Sequence, residues 1–340
     1  MRKPYTHDCE RKPAQTSTPR PAAWTAMLRR MLVCATLALC TAHAAAQQPL
    51  KIGLIGTNES QIPILVAIDQ GYFKENGVTV ETVQFKGGGV AVQAFAGGSI
   101  DLASFATDHV IRLNNRGIDA RFLAAIDRNI THLLVVPSGK GFKDLSSLKG
   151  KKVGVSAPGS YSDNVLRWSL IKIGINPDRD VTIVGVGSGN TSKAALKAGQ
   201  IDALMISTAE AIHFDLTEPE AYQILVDWRK TPHTGQALVG RQKWVDQNPD
   251  LARGVVRAVL KAESAVQSDP RVVQAAVRKQ YPDADEQFIL AYSKAVPDLV
   301  SPDGVISDQS FERMVDILHT IEPGLKPFKK SDLDLTSQLR

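Results

Sequence analysis

The chain repeats itself at long range. Residues 51–107 and 152–208, offset by 101, share 11 of 57 positions without a gap. The matches fall at structural signals, not at random. Lys152-Val153-Gly154-Val155 falls on Lys51-Ile52-Gly53-Leu54, Val181 and Val184 on Val80 and Val83, and Ser188-Gly189-Asn190 on Gly87-Gly88-Gly89. Ala195, Gly199, Ile201 and Asp202 fall on Ala94, Gly98, Ile100 and Asp101. Any fold for this sequence must therefore accommodate two units of similar plan.

Within the first unit the periods alternate between two and three to four residues. Leu50 to Leu54 reads as a strand, and a helix with Ile62, Leu65, Val66 and Ile68 inward ends near Gly71. Val78 to Phe85 is a second strand, Val90 to Ala96 a helix, and Ile100 to Ser104 a third strand. Strands alternating with helices at this spacing predict parallel α/β sheets with right-handed crossovers. Such sheets bind ligands beyond the carboxyl ends of their strands. In each unit the first strand runs there into a polar loop that opens a helix, Gly56 to Gln61 and Ala157 to Asp163. Free helix N–H groups and the helix dipole suit a polar or anionic ligand group at such a place. After residue 240 the pattern is helical: Leu251, Val255, Val259 and Ala262 share one face, and Phe311, Met314, Val315, Leu318 and Ile321 another.

The N-terminus reads as a leader. Arg29-Arg30, an apolar run from Met31 to Leu39, and Ala44-Ala45-Ala46 form the charged, apolar and cleavage regions of a signal peptide over 27–46. The run is too short to span a bilayer. Residues 1–26, with four prolines, fit a disordered extension or a start placed too early. Cys40 follows Leu39, where a lipoprotein site needs a small residue, so lipid anchoring is not expected. The expected location is periplasmic, without stable membrane insertion.

The charge divides along the same line. From residue 47 on there are 33 basic and 33 acidic residues, so the pI near 9.0 belongs to the leader and gives no case for nucleic-acid binding. All three cysteines precede residue 47, which leaves the body no thiolate nucleophile, disulfide or cysteine metal ligand. Its five histidines show no i,i+4 pair, and no metal site or cofactor is expected. Gly185-Val186-Gly187 before Asn190 lacks the third glycine of a dinucleotide fingerprint. Gly154-Val155-Ser156-Ala157-Pro158 has proline where a nucleophile elbow needs glycine. No catalytic residue emerges.

Ala67-Ile68-Asp69-Gln70-Gly71-Tyr72-Phe73, followed by Gly77-Val78-Thr79-Val80-Glu81, resembles the opening of ABC-transporter solute-binding proteins. The branch is that of nitrate, sulfonates, taurine and thiamine-pyrimidine precursors, the NMT1/THI5-like family. Ala94 to Ala103, Asp144 to Val155 and Gly199-Gln200-Ile201-Asp202-Ala203 match further elements of it, so the resemblance spans about residues 49–320. It implies a type II periplasmic binding fold: two α/β lobes, each a mostly parallel sheet flanked by helices, that close on ligand about two crossover segments. Lobe 1 would be 49–132 plus 240–340 and lobe 2 133–239, with crossings near Thr131 to Pro137 and Gly235 to Arg241.

The resemblance carries a ligand site onto six loops: Asn58, Glu59, Ser60 and Gln61; Gly88 and Gly89; Phe105, Thr107 and Asp108; Gly159, Ser160 and Tyr161; Ser188 and Asn190; Thr208 and Glu210. It implies a monomeric, non-enzymatic protein that captures a small polar organic solute and delivers it to the transmembrane subunits of an ABC permease. Eukaryotic relatives that make pyrimidine are enzymes with a cysteine-rich motif, which this body lacks. An enzyme acting on a small heterocycle and a sensory binding protein remain the alternatives. For a sulfonate or nitrate, Arg or Lys would be expected in the loops. The loops offer Glu59, Asp108 and Glu210, with Lys86 at a margin and Arg128 near the hinge, and Phe105 and Tyr161 for stacking, which leans toward an amine-bearing or heteroaromatic solute.

Overall fold

Two five-stranded sheets of the same design carry the molecule. The computed structural model describes residues 48–85 and 88–340, and Pro49–Arg340 forms one compact unit. The expected leader and the extension before it lie outside the described residues, as do Lys86 and Gly87. The first sheet takes β1 (Leu50–Ile55), β2 (Val80–Phe85), β3 (Leu102–Ala106) and β4 (Ala120–Ala125). The second takes β5 (His132–Pro137), β6 (Lys152–Val155), β7 (Thr182–Gly185), β8 (Ala203–Ser207) and β9 (Tyr222–Asp227), while β10 (Gln236–Arg241) returns to the first. The strand orders are β2-β1-β3-β10-β4 and β7-β6-β8-β5-β9.

The repeat is structural, and its register can be checked bond by bond. Ile52 pairs with Thr82 and Leu102, and Val153 pairs with Ile183 and Ala203, each set 101 apart. Lys51 N donates to Asp101 Oδ2 at 2.9 Å and receives Asp101 N on its carbonyl at 3.0 Å. Lys152 and Asp202 repeat both bonds at 2.8 and 2.7 Å. The shared glycines have a steric cause. A β-carbon at Gly53 would stand 2.5 Å from Ile100 Cδ1, and one at Gly154 2.5 Å from Ile201 Cδ1. In each unit the isoleucine just ahead of the third strand fills the space that a larger residue on the first strand would need.

The fourth position of each sheet is filled from the other unit. β5 follows β4 in sequence yet lies antiparallel between β8 and β9, and β10 follows β9 yet lies antiparallel between β3 and β4. Each carries a register shift against its outer neighbour, at Leu238/Val239 and at Leu134/Val135. The segments that cross between lobes are thus 126–131 and 228–235. This moves two expected boundaries: Gln236–Val239 belong to lobe 1, and His132 already pairs with Ser207 in lobe 2. The reason is that Leu133 to Val136 and Ala237 to Val239 are buried on both faces, so nothing in their pattern says which sheet receives them.

The crossings are tied to each other and to both lobes. Ile130 N donates to Thr231 O at 3.0 Å and His233 N to Arg128 O at 3.1 Å. Asp127, 1% exposed, accepts Gly235 N at 2.6 Å and Gln236 N at 2.9 Å on one carboxyl oxygen. Thr107 and Thr208, again 101 apart, open equivalent helices, Thr107–Asn115 and Thr208–Thr217. The Thr107 hydroxyl donates to Thr234 O at 2.7 Å and the Thr208 hydroxyl to Thr131 O at 3.1 Å, so each pins its lobe to a crossing.

The C-terminal helices expected in lobe 1 also reach lobe 2. Pro249–Ser268 packs on Ile62–Asp69 in the lobe 1 core. The helix Asp308–Ile321 is shared, with Phe311, Met314 and Leu318 in the first lobe's core and Ile317 in the second's. Its Asp316 accepts Trp168 Nε1 at 2.9 Å from the lobe 2 helix Tyr161–Lys172.

Candidate functional site

A cavity of about 990 Å³ lies between the lobes, at the carboxyl ends of the parallel strands of both repeats. Each repeat supplies its first-strand loop: Ile55 to Glu59 from one side and Ser156 to Ser162 from the other. Of the sixteen residues expected from sequence, Asn58, Glu59, Gly88, Gly89, Gly159, Ser160, Tyr161, Ser188, Asn190 and Glu210 line it.

The other six stand behind the wall, each with a definite bond or packing partner. Ser60 donates to Asp127 Oδ2 at 3.4 Å, and Gln61 Nε2 to Ile55 O at 3.1 Å, so both brace the loop from inside. Phe105 is in the lobe 1 core, edge-on to Phe95 at 5.5 Å and to His109 at 5.6 Å. Thr107 and Thr208 are spent on the crossings, as described. Asp108 pairs with Arg112 and accepts Asn164 Nδ2 at 2.7 Å, which makes it an inter-lobe contact. Burial pushes its carboxyl up, but His109, Arg112 and His233 outweigh that and hold it below the usual range.

Among the lining residues, the carboxylate of Glu210 is already engaged. It closes a capping box with Ser207, and its other oxygen accepts Gly189 N at 2.5 Å, fixing the loop ahead of the helix Asn190–Lys197. Gly88 is required by close approach, since a β-carbon there would meet His109 Nε2 at 2.6 Å. Ser156, Ser160 and Ser162 form a triangle of hydroxyl contacts of 2.9 to 3.0 Å at the start of the helix Tyr161–Lys172.

Tyr161 is gripped by the second crossing and by the first residue of β5. Its ring stacks on His233 (5.6 Å, 19°) and meets His132 edge-on (5.0 Å, 89°). Burial pushes both histidines down to about 4, so they are neutral partners at physiological pH. The Tyr161 hydroxyl is buried without a hydrogen-bond partner and rests against Gly235, where a β-carbon would come within 2.6 Å of it.

Glu59 is the buried acid of the site, 1% exposed. Burial pushes its carboxyl up, and the nearby Glu210 adds to this, against hydrogen bonds from its backbone, Thr131 and Tyr292. The Tyr292 hydroxyl donates to Glu59 Oε2 at 3.1 Å.

Sequence reasoning missed the wall above Glu59. The segment Tyr281 to Asp285 joins the helices Pro270–Gln280 and Glu286–Leu299 and, with Phe288, closes the cavity. Tyr281 lies 5.1 Å from Phe288, and both pack on Tyr292 at 5.6 Å. Gln280 Nε2 donates to Asn58 O at 2.8 Å, so the wall is bonded to the loop beneath it. The helical stripe Phe288, Ile289, Tyr292 reads as core, and the signal for more was Tyr281-Pro282-Asp283, which interrupts the apolar period. His109, Thr131, His132, Met205, His213, Phe214 and Gln236 also line the cavity and were unforeseen.

The NMT1/THI5-like family model matches residues 58–273. A Brucella abortus protein described as a binding protein is 25% identical over 262 residues, 72% of this chain and 76% of its own. A 4-amino-5-hydroxymethyl-2-methylpyrimidine phosphate synthase of Saccharomyces cerevisiae is 24% identical over 222 residues, 62% of this chain and 64% of its own. A solved Bordetella bronchiseptica structure superposes with TM-score 0.71 at 26% identity, covering 86% of this chain and 97% of that one. The periplasmic aliphatic sulphonate binding protein SsuA of Escherichia coli does so with TM-score 0.67 at 21% identity, covering 84% and 90%. The two exchanged sheets, the cleft between them and these matches agree: the chain belongs to the NMT1/THI5-like family and has the two-lobed fold of the periplasmic solute-binding proteins of ABC importers.

Proposed function

We propose that this protein is the exported solute-binding component of an ABC importer, which closes its lobes on a small polar organic molecule and delivers it to a permease. The observation that carries the reading is the inter-lobe cavity, lined by equivalent loops of both repeats and of a size that fits a small molecule. No helix among the described residues is long and apolar enough to cross a membrane, in keeping with a carrier that meets its permease as a separate subunit.

The solute is proposed to be heteroaromatic or amine-bearing. Phe214, Tyr281 and Phe288 add aromatic surface to Tyr161, and Glu59 offers a buried acceptor. A second reading, a sulfonate or nitrate, is favoured by the serine triangle at a helix N-terminus. Binding without turnover is preferred to the enzyme alternative because no cysteine stands anywhere in the body.

Native mass spectrometry of the purified protein tests this, with co-purified solute as the expected result. A thermal-shift panel should add about 2.7 kcal/mol of stability at ligand 100-fold above its dissociation constant. Tyr161→Ala should weaken binding of that solute at least tenfold with the fold intact, since it opens the wall between the two crossings. Unchanged affinity in that variant would remove the site from this cleft.

A further inference from the structure

We propose that the cleft selects a flat organic cation, its positively charged nitrogen group on the Glu59 carboxylate and its ring against Tyr281 and Phe288. This rests on the solute-binding reading and narrows it to one charge class, the opposite of a sulfonate or nitrate.

Three independent observations converge on it. First, Glu59 lines the cavity while being almost wholly buried, and the Tyr292 hydroxyl fixes the carboxyl from behind. A carboxylate taken out of water is costly unless an opposite charge meets it, and among the described residues lining the cavity no Lys or Arg does so. Second, the wall over it is aromatic, and ring faces attract cations that have shed their water. Third, the fixed charges among the described residues lining the cavity are acidic. Glu210 lines the same cavity across the cleft and acts on Glu59, so an anion entering here would approach two acidic side chains.

The groups facing Glu59 are Tyr292 and Tyr281 from the C-terminal segment, Thr131 and Asp127 from the first crossing, and Tyr161 and Glu210 from lobe 2. A cation favours the ionised carboxylate, and burial raises the Glu59 carboxyl above its ordinary value. Affinity for a cation should therefore rise with pH as Glu59 ionises, and lose that dependence when Glu59 cannot titrate.

The test is calorimetric titration with two probes that share one ring and differ in charge, benzamidine and benzenesulfonate. Benzamidine is expected to bind and benzenesulfonate not to, with Glu59→Gln weakening benzamidine at least tenfold and flattening its pH dependence. The glutamine still accepts the Tyr292 hydroxyl, so the wall stays in place, and an unchanged melting temperature checks this. Preference for benzenesulfonate, equal binding of both, binding of neither, or an unchanged affinity in Glu59→Gln each overturns the proposal. An anionic solute co-purifying in native mass spectrometry would overturn the cation inference and leave the carrier reading standing. A protein that arrives empty and shifts with no compound of a broad panel would sink both.

Discussion

Asp127→Ala lowers the stability of the folded protein by about 3 kcal/mol or more, because it strips the partner from two buried backbone donors at once. Gly235 N and Gln236 N both end on Asp127 Oδ1, deep in the junction of the crossings. Each orphaned buried N–H costs about 1–3 kcal/mol. Asp127→Asn is the informative contrast. Its amide oxygen still accepts both bonds, and its NH₂ can donate to Ser60, which now donates to Asp127 Oδ2. Burial pushes the Asp127 carboxyl well up, and Glu59 pushes it further, against the bonds from Gln236, Gly235 and Ser60. A neutral amide thus replaces a group that folding already drives toward its neutral form. Urea unfolding of the three proteins at pH 7 checks this. Equal losses for alanine and asparagine would show that the charge, and not the two accepted bonds, holds the crossings.

The second large effect lies in lobe 1, far along the sequence. Glu263, on the helix Pro249–Ser268, is fully buried, and neither carboxyl oxygen has a hydrogen-bond partner. Burial raises its pKa well above 4.5, Asp303 adds to this and Arg340 opposes it. A raised folded-state pKa means the native state keeps a proton that the unfolded chain has lost. The stability is therefore full below pH 4.5 and falls as pH rises toward the folded pKa, by about 1.4 kcal/mol per unit. Glu263→Met should gain about 2–3 kcal/mol at pH 8, on the order of 5 °C in melting temperature, and little at pH 4. Melting curves of both proteins across pH 4–8 are the measurement. A gain that is the same at both ends would mean that packing, not the proton, is responsible.

How far these features were legible depends on whether the coding was local. The repeat was readable because its signals are short-range and chemically strict. A glycine is needed where a neighbouring isoleucine fills its side-chain space, at Gly53 and Gly154, and an aspartate where it caps the strand start, at Asp101 and Asp202. The polar loops opening the helices were readable for the same reason. Which small polar residue points into the cleft was not. Thr107, Thr208, Ser60 and Gln61 sit in the right loops but turn their side chains to the crossings and the loop backbone. For Thr107, Thr208 and Ser60 that choice is made by partners 127, 77 and 67 residues away. Tyr281 and Phe288 escaped because a helical apolar stripe looks the same whether it meets a core or walls a cavity.

The exchanged strands have a mechanical consequence. Each crossing ends in a strand clamped by hydrogen bonds on both sides, the fourth of five in its sheet. A torque that opens the lobes is thus delivered to the stiffest part of each sheet and cannot peel an edge. The bending has to concentrate in the two short spans 126–131 and 228–235. In the proposed closure the lobes would swing about these two spans, with the binding loops keeping their shape.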